Sequence, residues 1–241
     1  MPQQPAADCL IIAAGRGSRL VSRGEPKPLV TLGGTTLIER VIGTAARAGV
    51  RGFCVVTGYL AEKIEGALSA SPLLEGLDLR FVHNPEWERE NGLSVACAAG
   101  SVGERFVLLM SDHLFEERVL ARLLAEPIAG DEVILAVDTR ISGHPTVDLE
   151  DVTRVRAESG AIRDIGKGLA DYNAFDTGMF LCTPALFAAL EESFRRGDRS
   201  LSGGIRALAA RGKARAFDVG DGLWIDVDDD AAYRRAEGFF A

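Results

Sequence analysis

Short apolar runs alternating with amphipathic stretches constrain this fold most. DCLIIAA (8–14) is bounded by turn residues and reads as a strand. TLIERVIGTAARAG (36–49) follows with helical spacing, and GFCVVTG (52–58) is a second strand. Next come a helix near AEKIEGAL, a third strand DLRFVHN (78–84), a helix from about Ser94 and a fourth strand RFVLLMS (105–111). Strands that are apolar almost throughout are buried on both faces, so this βαβαβαβ rhythm predicts a parallel sheet between helices.

After Asp131 the pattern changes. VILAVD, VTRVRAES, AIRDIGK and FDTGMFLC are short strands separated by turns. Two helices (184–195 and 203–210), a strand near RAFDV and a last helix after Asp228 complete the chain. The expected class is α/β: a Rossmann-like, mostly parallel mixed sheet flanked by helices, with a small antiparallel insertion in the second half covering one face. The 241 residues suit one sizeable domain, and no linker, repeat or low-complexity tract divides them.

A formal net charge of −8 argues against a nucleic-acid binder, because phosphate backbones recruit broad basic surfaces. The start, MPQQPAAD, lacks both a basic segment and an apolar core, so no signal peptide is expected. No apolar run approaches the roughly 20 residues of a membrane span. A cytoplasmic location is expected, with the chain acting as a separate enzyme or as an excised domain. Cys9, Cys54, Cys97 and Cys182 are far apart among apolar neighbours and form no CxxC pair, so they read as reduced, buried small hydrophobes. His83, His113 and His144 are equally scattered.

Against that acidic balance, AAGRGSRLVSRGEPKPL (13–29) concentrates cations at the turn after the first strand. A strand, a glycine-rich turn and a helix gather backbone amides around an anion. Gly15 and Gly17 let the main chain approach phosphates, and Ala14 leads into the turn. The dinucleotide fingerprint GxGxxG fails, since Leu20 stands at its third glycine. The Walker pattern is absent. Arg16 and Arg19 suit forked phosphate contacts, and Lys27 supplies a compact charge held between Pro26 and Pro28. Lys27 is expected to be exposed in an open cleft.

The pattern AAGxGxR…PKPL after a first strand resembles the signature of nucleotidyltransferases that activate phosphorylated small molecules. The resemblance extends over nearly the whole chain. It implies that Gly15, Gly17, Arg19 and Lys27 serve a nucleoside triphosphate, with Arg19 and Lys27 catalytic and Lys27 stabilising charge at the α-phosphate. Fewer residues separate Arg19 from Lys27 than in typical hexose-1-phosphate enzymes. It also implies a nucleotide-binding half over 8–130 and an acceptor-binding half over 131–241 of a single domain.

A triphosphate calls for a divalent cation, Mg²⁺, and hard oxygen ligands. Asp112 in LLMSDHLF ends the fourth strand at the carboxyl edge, where open α/β sheets bind ligands. Asp226, at the end of a short strand after a tryptophan, resembles the family's second metal ligand; Asp228 is the alternative. NPEWERENGLSVACA resembles the base-recognition element, with Asn91–Gly92 as a tight turn and Ser94 opening a helix, which it also caps. Gly58 gives a base close access.

IGKGL places Lys167 after a short strand, and FDTGMFLC places Asp176 and Gly178 before another. The family often uses such a lysine on the acceptor phosphate. MSDHLF, VDLEDVTRV, IGKGL and DTGMFLC together look most like inositol-1-phosphate cytidylyltransferase domains, which make CDP-inositol and are often fused to a membrane phosphatidyltransferase. The partners implied are CTP and a small phosphorylated alcohol, with a separate phosphatidyltransferase downstream. Phosphocholine, phosphonate and sugar-1-phosphate nucleotidyltransferases are alternatives. A catalytically silent nucleotide-binding regulator and a glycosyltransferase are rivals; the first is disfavoured by the presence of Lys27 and Asp112, the second by the cationic first loop.

Overall fold

The computed structural model describes residues 7–144 and 146–240. Most of MPQQPAAD, on which the absence of a leader was read, lies outside them. β1 (Asp8–Ala13), β2 (Thr31–Leu32), β3 (Thr35–Thr36), α1 (Leu37–Arg47), β4 (Gly52–Thr57), α2 (Ala61–Ser69) and β5 (Asp78–His83) come first. α3 (Asn91–Cys97), β6 (Phe106–Met110), β7 (His113–Phe115), α4 (Glu117–Leu124) and β8 (Val133–Asp138) follow. The remainder is β9 (Arg154–Glu158), β10 (Ala161–Gly166), β11 (Ala174–Cys182), α5 (Ala185–Arg195), α6 (Leu201–Ala209), β12 (Ala214–Asp218), β13 (Trp224–Asp226) and α7 (Asp230–Phe240).

Nine strands from both halves form one sheet in the order β5-β4-β1-β6-β11-β8-β12-β10-β9. β5, β4, β1 and β6 are parallel, as the alternating pattern predicts. β11 enters antiparallel between β6 and β8, so the sheet is mixed. The antiparallel strands β9 and β10 are continuous with this sheet at its far edge, and β9 also pairs with β11. Alternation along β1 sends Cys9, Ile11 and Ala13 to one core and Leu10 to the other. α1, α2, α4 and α7 pack on the first face; α3, α5 and α6 pack on the second.

Local chemistry fixes the helices. Thr36 caps α1 in a reciprocal box, with Thr36 Oγ1 accepting from the Glu39 amide at 3.3 Å and Glu39 Oε2 accepting from the Thr36 amide at 3.0 Å. Leu37, Ile38, Val41, Ile42 and Ala45 then make its buried face. The expected turn at Asn91–Gly92 is instead the first turn of α3. Asn91 Oδ1 accepts from the Leu201 amide at 2.9 Å, and a Cβ on Gly92 would stand 2.4 Å from the Arg199 carbonyl. Close packing against the start of α6 therefore begins α3 before Ser94. β7 and α4 go beyond the sequence expectation: a three-residue strand carries no readable period, and α4 follows it directly. No helix among the described residues is long and apolar enough to cross a membrane. The four cysteines are free, and all but Cys97 are buried.

Candidate active site

β6 ends at Met110, and the chain turns through Asp112 into β7 at the carboxyl edge of the parallel strands. β7 pairs antiparallel with β13, and the register sets Asp226 opposite His113. Asp112, His113 and Asp226 thus offer ligand atoms within 4.8 Å of one another. Asp226 Oδ1 is buried and accepts no hydrogen bond, which leaves a lone pair for a cation. Two carboxylates are the hard donors that magnesium takes, so Asp112 and Asp226 fit one.

His113 has a different task. Its Nδ1 donates to the Thr177 carbonyl at 2.9 Å, and its Nε2 stands 3.4 Å from Asp226 Oδ2. Burial alone would lower its pKa, but the charge and hydrogen bond of Asp226 outweigh this and raise it to about 10. The ring is an orienting cation for Asp226. Burial would raise the Asp226 carboxyl in turn, yet His113 and Lys27 hold it well below the usual carboxylate range. His113 is not a stray histidine; only the β7–β13 register, which no local pattern announces, brings it here.

Gly178 explains the third side of this arrangement. Its φ is +76°, and a Cβ would stand 2.3 Å from His113 Nδ1. Gly178→Ala is expected to cost about 1–3 kcal/mol through overpacking, measured as a lowered thermal midpoint. An unchanged midpoint would mean that the ring has room to move. Asp176 accepts from the Gly178 amide at 2.8 Å, and burial lifts its pKa to about 6.

The Lys27 expectation requires correction. The residue is 4% exposed, not open to solvent. Its Nζ lies 2.5 Å from Asp112 Oδ2 and 3.9 Å from Asp226 Oδ1, and it also pairs with Asp228. Burial would lower the lysine pKa, but the three carboxylates raise it above its ordinary value. The stem reaches this position under Gly17 (φ +63°), where a Cβ would stand 2.4 Å from the Lys27 Cβ. Gly17 is therefore needed to admit the lysine. Gly15 differs: a Cβ there meets nothing within 4 Å, so its Cα faces open space.

Asp228 stands beside Lys27 and also accepts from Arg19. Burial and neighbouring Asp226 push its carboxyl above the ordinary range, to about 6. It is thus an ion-pair hub, while Asp226 carries the unpartnered oxygen. Arg19 and Lys167 are joined through Asp151, which accepts from Arg19 at 2.5 Å and from Lys167. Asp151 was not singled out from the sequence; two cations from distant segments meet there only in the fold.

One cleft is lined by Arg19, Asp112, His113, Asp151, Lys167, Asp176, Gly178, Trp224, Asp226 and Asp228. The structure therefore brings together the metal candidates, Arg19 and the acceptor candidates. Lys27 lies under its carboxylates. Ala14, Gly15, Arg16, Gly17, Gly58, Gly92 and Ser94 do not line this cleft. Arg16 is exposed, 3.4 Å from Glu25, and lies over the Tyr59 ring at 5.3 Å. The Ala14 carbonyl accepts from the Tyr59 amide at 2.9 Å. A Cβ at Gly58 would stand 2.4 Å from the Trp87 Cβ, and buried Ser94 Oγ accepts from Asn84 Nδ2 at 2.9 Å. Gly58, Gly92 and Ser94 each have a packing or hydrogen-bonding reason to be what they are.

His144 is likewise placed. It meets buried Asp138 at 2.7 Å, and Asp138 Oδ2 also accepts from the Trp224 indole at 2.8 Å. His144 and His113 lie on the same tryptophan, with ring centroids 5.9 and 6.3 Å away.

Residues 9–171 match the MobA-like NTP transferase domain. The chain is 38% identical over 230 residues to the bifunctional IPC transferase and DIPP synthase of Rubrobacter xylanophilus, covering 94% of this chain and 50% of that protein. It is 30% identical over 261 residues to the CMP-5'-(3-aminopropyl)phosphonate synthase of Streptomyces rubellomurinus, covering 100% of this chain and 40% of that one. The chain thus spans about half or less of the length of these relatives. The solved inositol-1-phosphate CTP transferase from T. maritima superposes with a TM-score of 0.82 at 28% identity, covering 97% of this chain and 96% of that one.

Proposed function

The chain belongs to the MobA-like NTP transferase family, and from that premise we propose that it transfers CMP from CTP to inositol 1-phosphate, giving CDP-inositol and pyrophosphate. The observation that carries this reading is the fit, along nearly the whole of both chains, to the T. maritima inositol-1-phosphate CTP transferase. The name of the Rubrobacter relative points the same way. We read residues 1–241 as one domain, with the nucleotide on the 8–130 side and the acceptor on the 131–241 side.

In this reading, an oxygen of the acceptor phosphate attacks the α-phosphorus of CTP. The new P–O bond forms as the bond to the β-phosphate bridging oxygen breaks, and pyrophosphate leaves with that electron pair. The attacking phosphate is already anionic, so no general base is needed; positioning and charge neutralisation carry the rate. Gly15, with Ala14, Arg16 and Gly17, gives the triphosphate an approach to the main chain. Gly58, Gly92 and Ser94 shape the wall nearest the base. Lys27 compensates the carboxylates before nucleotide arrives and then faces charge on the α-phosphate, with Arg19 beside it. Lys167 meets the acceptor phosphate, and Asp176 and Gly178 border the polyol. Asp112 and Asp226 would hold Mg²⁺, which when bound offsets charge on the triphosphate and on the leaving pyrophosphate.

The test is pyrophosphate release from CTP and magnesium with inositol 1-phosphate, phosphocholine or an aminoalkylphosphonate. Inositol 1-phosphate is expected to react fastest, and chelating the metal is expected to stop release. Faster release with phosphocholine or the phosphonate would overturn the inositol assignment and leave CTP use standing. A preference for GTP or UTP with a hexose 1-phosphate would overturn both.

A further inference from the structure

α7 presents Ala232 and Arg235 to the cleft three residues apart, so they share one face, and Asp229, just before the helix, borders the cleft beside them. Arg235 differs from the other cations there. Arg19 is committed to Asp151 and Asp228, and Lys167 is committed to Asp151. Arg235 Nε is buried with no hydrogen-bond partner, and no ion pair among the described residues involves its guanidinium. A guanidinium stays charged at any working pH, so it cannot escape this deficit by losing a proton. Buried donors are otherwise nearly always matched. Arg235 as a whole is half-buried and lines the cleft, so an anion entering there would supply the missing partner.

We propose that Arg235 is a ligand for the phosphoryl group of the acceptor; the proposal rests on the nucleotidyl-transfer reading above. The cleft already holds several carboxylates, and a phosphate dianion entering it needs a cation that the protein has not itself neutralised. Arg235 is such a cation, and its planar fork matches two phosphate oxygens at once. Ala232, one turn earlier, contributes only a methyl group, which leaves space beside the guanidinium. Arg19 and Asp112 border the same cleft, but the Gly15–Gly17 turn does not, and Arg235 shares the cleft with Asp148, Lys167 and Asp176 of the acceptor half, so the acceptor phosphate rather than the triphosphate is its ligand. Lys167 and Arg235 then stand as a point charge and a fork for one group, from different elements of the acceptor half.

Calorimetric titration separates the phosphate from the rest of the acceptor. Inositol 1-phosphate and unphosphorylated inositol are each titrated into wild type, Arg235→Ala and Arg235→Lys, and CTP is titrated separately. Loss of a charge-assisted contact should weaken inositol 1-phosphate roughly 10- to 150-fold in Arg235→Ala. Inositol and CTP affinities should stay near wild type, and Arg235→Lys should recover part of the loss. An unchanged inositol 1-phosphate affinity, an equal loss for free inositol, or a loss in CTP affinity instead would each overturn the assignment. If Arg235→Ala melts earlier than wild type, the comparison passes to Arg235→Lys against Arg235→Gln. A wild type that binds inositol 1-phosphate but releases no pyrophosphate would overturn the function and leave the Arg235 contact testable by the same titration.

Discussion

Lys27→Ala is expected to lower kcat by roughly 10²–10³, the size of one lost preorganised electrostatic contact, and to destabilise the fold as well. The second effect follows from burial. With the ammonium gone, Asp112, Asp226 and Asp228 lose the one cation they share, and only Arg19 on Asp228 and His113 on Asp226 remain to offset them. Removing one partner of a buried charge cluster typically costs about 3–5 kcal/mol, because the remaining charges stay desolvated and unpaired. The two effects separate by adding magnesium. A divalent cation bound by Asp112 and Asp226 would compensate the same carboxylates, so magnesium should raise the thermal midpoint of Lys27→Ala more than that of wild type. Turnover should not recover with it, since the metal does not replace a lysine aimed at the α-phosphate. A variant with near-normal kcat would remove Lys27 from the mechanism. A variant as stable as wild type without metal would mean that the carboxylates shed their charge instead.

The four parallel strands were legible because fully buried strands write themselves as unbroken apolar runs, and the turn after β1 because glycines and cations there have no structural reason to cluster. Asp112 was legible for the same cause: it directly follows such a run. What was not legible depends on register and on tertiary approach. His113 and Asp226 are more than a hundred residues apart, and a pairing of two three-residue strands brings them together. The burial of Lys27 depends on Gly17 standing over its stem, a contact between two residues of one loop that composition does not describe. Two glycines carry a second reason to be small: Gly58 reads as close access for a base and Gly92 as part of a tight turn, and in the fold another part of the chain also touches each of them. Asp151 lies within VDLEDVTRV and Asp138 at the end of VILAVD, but nothing in either segment marks the aspartate itself, and both are hubs.

Asp138→Asn is expected to be among the most destabilising single changes in the chain. The carboxylate is 0% exposed and receives Arg140, His144 and the Trp224 indole together, with the Arg140 amide at 2.9 Å. Burial alone would raise its pKa, but these donors outweigh it and hold the group well below the ordinary carboxylate range. An amide keeps the shape, loses the charge and turns an NH₂ toward groups that are themselves donors. A loss of about 3–5 kcal/mol follows from breaking one side of a buried charged network, which is roughly 6–20 °C in thermal midpoint for a chain of this size. The sign with pH is fixed. A carboxyl whose folded pKa lies below its unfolded value stabilises the fold fully above the unfolded value of about 4, and that stabilisation fades as pH falls toward the folded value. The gap in midpoint between wild type and Asp138→Asn should therefore be constant above about pH 5 and narrow below pH 4. A gap that widens in acid would mean that the carboxyl is not ionised in the fold. The same substitution should also reach the metal candidates. Trp224 is held at its indole by Asp138 and at its carbonyl by Thr146 Oγ1, 2.7 Å away, and it begins the strand that ends in Asp226. Releasing the indole frees that strand, so magnesium should bind Asp138→Asn more weakly even at temperatures where the variant is fully folded.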